Sequence, residues 1–142
     1  MTRALGQAAL GLVGVPFRLH GRNATSGLDC VGVVAEALRR TGVKPTVPEG
    51  YSLRGTAVSG FVGCAALSGL DLVDADGDVV LCMVNPVQMH LAVRAGDGFV
   101  HANASLRRVT FMPGPLPWPA KMQWRLSNGD WQNLDRDRTW QL

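Results

Sequence analysis

The thiols of Cys30, Cys64 and Cys82 and the imidazoles of His20, His90 and His101 are the side chains of this 142-residue chain best suited to nucleophilic and acid–base work near neutral pH. Cys30 stands out by position. It follows Gly27-Leu28-Asp29 and opens a helical pattern predicted over residues 29–41. There Cys30, Val33, Val34, Ala37 and Leu38 keep the spacing of one buried face, Asp29 is a natural N-cap, and Gly42 marks the stop. A thiol on the first turn feels the positive end of the helix dipole and its unpaired N–H groups, which favour thiolate and can receive an oxyanion. A cysteine on an apolar helix stripe is also a common small core residue. Placement alone leaves both readings open for Cys30, whereas Cys64 and Cys82 read as core filler.

The histidines need a different element. From Gln88 the sequence alternates, with Met89, Leu91 and Val93 on one face and His90, Ala92 and Arg94 on the other. After the turn Ala95-Gly96-Asp97-Gly98, a second strand places Phe99, His101 and Asn103 on one face and Val100, Ala102 and Ala104 on the other. With Gly96-Asp97 as central turn residues, Ala95 pairs with Gly98, and His101 becomes the diagonal neighbour of His90, within reach of two imidazoles. A turn slipped to Asp97-Gly98 keeps His90, His101 and Asn103 on one face but spreads them along the ladder. A helix-borne Cys30 with His90 and a polar partner on a hairpin supplies the parts of thiol-dependent acyl transfer. The Cys30 N–H at the helix N-terminus suits a tetrahedral oxyanion.

Around these elements the chain reads as a single domain spanning 1–142. Hydrophobic residues make up 46% and charged residues 18%, and the longest apolar runs, such as Val79 to Val84, are too short to span a bilayer. Seventeen glycines and eight prolines point to many turns and a mixed fold. The net charge of +3 is spread over scattered residues, paired only at Arg39-Arg40 and Arg107-Arg108, which argues against nucleic acid as a partner. Three widely spaced cysteines suggest free thiols. A zinc site from His20, Cys30, His90 and His101 is poor on spacing.

The spacing predicts a first helix over about residues 3–13, ended by Gly14 and Pro16, and an irregular approach from Val15 to Ser26. Ser52 to Leu67 reads as one or two short helices, and Asp71 to Asp78 as a loop feeding a buried strand at Val79 to Val84. Arg107 to Met112 and Lys121 to Leu126 are further strands, joined by the proline-rich stretch 113–119. Ser127 to Leu142 is a possible last strand or helix that packs Trp131 and Trp140.

Five ordered blocks also resemble the NlpC family of bacterial cell-wall cysteine peptidases, a compact papain-like group. They are Gly14-Val15-Pro16-Phe17-Arg18-Leu19-His20-Gly21, Gly27-Leu28-Asp29-Cys30-Val31-Gly32-Val33-Val34, Gly77-Asp78-Val79-Val80, His90-Leu91-Ala92-Val93 and Gly96-Asp97-Gly98-Phe99-Val100-His101-Ala102. The resemblance implies an α+β papain-like fold, with N-terminal helices carrying the nucleophile packed on an antiparallel sheet carrying the histidines. It implies Cys30 as nucleophile, His90 as general base and His101 as the group that orients the base. Asp29, Phe17, His20 and Asn103 are candidates for secondary or substrate-binding roles. The implied activity is hydrolysis of an amide in a peptidoglycan stem peptide, such as a D-glutamyl-diaminopimelate bond.

Two positions depart from the family pattern. Val31 stands where serine commonly follows the nucleophile, and Phe17 stands where tyrosine would bring a hydroxyl near the site. The short length and lack of a clear signal peptide resemble small phage or prophage tail-associated members. For such a protein, made in the cytoplasm, particle proteins are the expected partners and carry it to the wall or periplasm. A thiol-dependent acyltransferase and a catalytically silent tail or scaffold component are the alternatives.

Overall fold

The computed structural model describes residues 3–48 and 59–126. Three helices, α1 (Ala4–Leu10), α2 (Cys30–Arg40) and α3 (Ser59–Leu67), accompany a short ribbon of β1 (Arg22–Asn23) and β2 (Gly27–Leu28) and a six-stranded sheet. The sheet strands are β3 (Leu70–Val73), β4 (Val79–Asn85), β5 (Gln88–Ala95), β6 (Gly98–Asn103), β7 (Arg108–Pro113) and β8 (Ala120–Leu126), all antiparallel, in the spatial order β3-β8-β4-β5-β6-β7. The fold is α+β, with helices packed on an antiparallel sheet.

The sheet's two faces have different partners. Val79, Leu81, Leu91, Val93, Val100 and Ala102 join the main core with Leu5, Leu12, Val33, Val34 and Leu38 of the N-terminal region. On the outer face Val80, Ala92 and Phe99 form a smaller cluster, covered by Met112 and Leu116. The strict alternation along β5 and β6 is what sorts these side chains, and it puts His90 and His101 on the outer-face pleat. Apolar neighbours on both sides explain why β4 begins as four consecutive buried residues, Val79 to Leu81 and Cys82.

The structure corrects several expectations. Residues 70–73, read in part as loop, form edge strand β3 paired with β8, from Leu70↔Leu126 to Val73↔Gln123. The approach at 15–26 holds β1, which pairs with β2 just after it, and makes the bridges Pro16↔Arg108 and Phe17↔Leu28. The first helix closes at Leu10, followed by turns. The expected elements at 127–142, with Trp131 and Trp140, lie outside the described residues, as do 52–58 of the expected helical stretch.

Candidate active site

Asp29 builds the start of α2. Its fully buried carboxylate caps the helix by accepting from the Gly32 N–H at 2.8 Å. It also accepts from the His20 N–H at 2.8 Å and pairs with Arg22 Nη1 at 3.1 Å. One carboxylate therefore ties the 20–22 loop to the first turn that carries Cys30. Two glycines make the fit possible. Gly27 has φ +136°, and a Cβ on Gly32 would run into the Gly21 carbonyl oxygen.

The Cys30 side chain is 2% exposed. Its thiol is pushed up to about 12, first by burial and less by the negative charge of Asp29, while backbone hydrogen bonds from Leu91 and Val31 pull the other way. In the free protein burial outweighs the helix terminus, which overturns the expectation that position alone favours thiolate. The Leu91 contact has a geometric origin. The β5–β6 ladder pairs Ala95↔Gly98, Arg94↔Phe99 and Val93↔Val100 and runs no further among the described residues. By antiparallel alternation the Leu91 N–H points toward the β6 side, beyond the last ladder pair, and it lowers the Cys30 thiol.

That ladder has the register expected from a Gly96-Asp97 turn, and the diagonal histidines meet. His90 Nε2 and His101 Nδ1 are 2.9 Å apart, with ring centroids at 5.1 Å and planes at 85°. His101 is 6% exposed and His90 is half-buried. Burial pushes His90 down to about 4, with the neighbouring His101 as a second cause, and burial likewise lowers His101. Cys30 is thus held as a thiol and both imidazoles are held neutral, an uncharged resting state. Behind it, the Cys82 S–H donates to the His90 carbonyl at 3.4 Å, and burial pushes that thiol up to about 11.

The remaining candidates have other partners. His20 is exposed, with φ +60°, and its N–H is engaged by Asp29. Phe17 packs against the main core and donates its N–H to the Arg107 carbonyl at 2.9 Å. Asn103 shares the histidine face by register, but its Oδ1 accepts from the Leu106 N–H at 3.0 Å, closing the β6–β7 turn. Trp118, which the sequence did not single out, stands edge-on to both rings, at 5.6 Å from His90 and 5.9 Å from His101. Its proline-rich surroundings gave no periodic signal that could have placed it. No cluster of potential metal ligands occurs among the described residues.

Sequence comparison finds no matching family model and no matching curated protein. Solved structures do match. NlpC2 from Trichomonas vaginalis aligns with a TM-score of 0.60 at 16% identity, over 87% of this chain and 46% of that one. A Staphylococcus aureus subsp. aureus Mu50 protein, described as similar to a lipoprotein of the NLP/P60 family, aligns at 0.57 with 15% identity, over 87% of this chain and 40% of that one. The chain thus spans less than half the length of either protein. With its helices laid on an antiparallel sheet that carries the paired histidines, the chain has the papain-like NlpC/P60 fold.

Proposed function

We propose that the chain is a cysteine peptidase that hydrolyses an amide bond in a peptidoglycan stem peptide, D-glutamyl-diaminopimelate being a representative bond. The observation that carries this reading is the His90–His101 hydrogen bond, which joins the expected base to the group expected to orient it. When the His90 Nε2–H donates to His101 Nδ1, His90 is left with a bare Nδ1 as its base. His90 takes the Cys30 proton as sulfur attacks the carbonyl carbon, and the Cys30 N–H stabilises the oxyanion. Collapse breaks the C–N bond, and His90 returns the proton to the leaving amine. Water, deprotonated by His90, then cleaves the thioester to a free carboxylate and restores the thiol.

The neutral resting pair shapes the kinetics of this scheme. Proton transfer from Cys30 to His90 accompanies attack and does not precede binding, because burial disfavours both charged forms in the free protein. A second reading, a silent scaffold with the same fold, draws on the near-complete burial of Cys30. Incubation with purified peptidoglycan fragments and mass spectrometry of the products separates the two. Hydrolysis yields paired fragments bearing a new amine and a new carboxylate, and the scaffold leaves every fragment intact.

A further inference from the structure

The segment 114–119 between β7 and β8 crosses the outer face of the sheet and is pinned at three points. The Gly114 N–H donates to the Asp97 carbonyl in the β5–β6 turn at 2.9 Å, and the Pro119 carbonyl accepts from the Met83 N–H at 3.1 Å. Between them Leu116 packs on the Val80, Ala92 and Phe99 cluster. Pro115, Pro117 and Pro119 each fix a φ angle, so the backbone around residue 118 has little freedom left. Trp118 is delivered from this strap onto the histidine pair, at interplanar angles of 85° to His90 and 67° to His101. The three rings meet edge to face, an arrangement favoured by aromatic quadrupoles.

We propose that Trp118 is a positioning residue that keeps water from the His90–His101 hydrogen bond and holds the His90 ring in the one orientation that leaves Nδ1 for Cys30. The proposal rests on the peptidase reading for its kinetic consequence but not for its structural one. A hydrogen bond between two neutral rings is worth only about 1 kcal/mol net when water competes for it. Excluding water strengthens it and removes the alternative partners that would let the ring turn. Next to the pair, the Cys82 thiol on β4 donates to the His90 carbonyl at 3.4 Å. Arg94 is held by the Gly77 carbonyl at 2.9 Å and lies over the Phe99 ring. The strap residues 113–119 carry no ionisable side chain, so Trp118 acts on the histidines by covering them and not by charge.

The test titrates the ring nitrogens of the 15N-histidine-labelled 142-residue chain by NMR, for wild type, Trp118→Phe and Trp118→Ala, beside kcat and KM on a stem peptide. Opening the site to water raises the His90 midpoint in Trp118→Ala by about one pH unit or more toward the ordinary range, while Trp118→Phe stays near wild type. In the same variant kcat falls by about 10²-fold with KM little changed, and phenylalanine restores most of it. Unchanged histidine midpoints in Trp118→Ala overturn the proposal, as does a kcat loss that phenylalanine fails to rescue. Trp118→Leu decides by the same midpoints if the alanine variant does not fold. A protein with no turnover but a shifted midpoint in Trp118→Ala would refute the peptidase reading and leave the covering role standing.

Discussion

In the proposed mechanism His90 is the base, although its surroundings make it a poor one. Burial lowers it to about 4 from an ordinary 6.5, so it stays neutral, and able to accept a proton, far below the usual histidine range. The expected kcat/KM profile is flat from neutral pH down to about pH 5 and falls only near pH 4, where an unperturbed histidine would already have lost activity at pH 6. His90→Gln, which removes the proton acceptor and keeps the shape, lowers kcat/KM by about 10³-fold. His101→Ala, which removes only the orienting partner, costs about 10²-fold, and steady-state kinetics on one stem peptide compares both. That His90 and His101 share a face and meet was legible in the sequence. The protonation state of Cys30 was not, because the helix N-terminus is a local feature while the desolvation that outweighs it comes from β5 and the core packed over it.

At the scale of elements, Asp29 makes one side chain serve three partners: the cap of α2, the His20 N–H and the Arg22 guanidinium. Asp29→Ala therefore removes a cap and the carboxylate that pairs with Arg22. A loss of about 2–4 kcal/mol in urea unfolding is expected, and Asp29→Asn, which can still cap, loses less. The hairpin of β5 and β6 was readable to the register because alternation and a two-residue turn fix it from within. Strand β3 was not, since Asp71 and Leu72 face solvent and only β8, some fifty residues on, makes them a strand. Trp118 was hidden for the same reason: what matters is not its neighbours in sequence but the two carbonyl contacts and one apolar contact that lay its strap across the sheet.

For the whole molecule, the buried histidines and thiols set opposite edges to stability. The folded state binds fewer protons than the unfolded chain where His90, lowered to about 4, is neutral and an ordinary histidine is charged, so stability falls as pH drops from about 6.5 toward 4. For His90 alone that amounts to roughly 3 kcal/mol. Above pH 9 the sign reverses. Cys30 and Cys82, raised to about 12 and 11, keep protons that the unfolded chain releases, so stability falls again as pH rises. Chemical denaturation across pH should show a plateau between about 6.5 and 9 with a decline on each side. The most direct test of the central claim, that Cys30 attacks the amide with His90 as its base, is the rate of stem-peptide hydrolysis by Cys30→Ser beside wild type at neutral pH. The neutral, buried pair predicts that serine, far harder to deprotonate than the thiol, lowers kcat/KM by about 10⁴-fold or more while the protein stays folded. A folded Cys30→Ser protein that hydrolyses the peptide within about tenfold of the wild-type rate would contradict it.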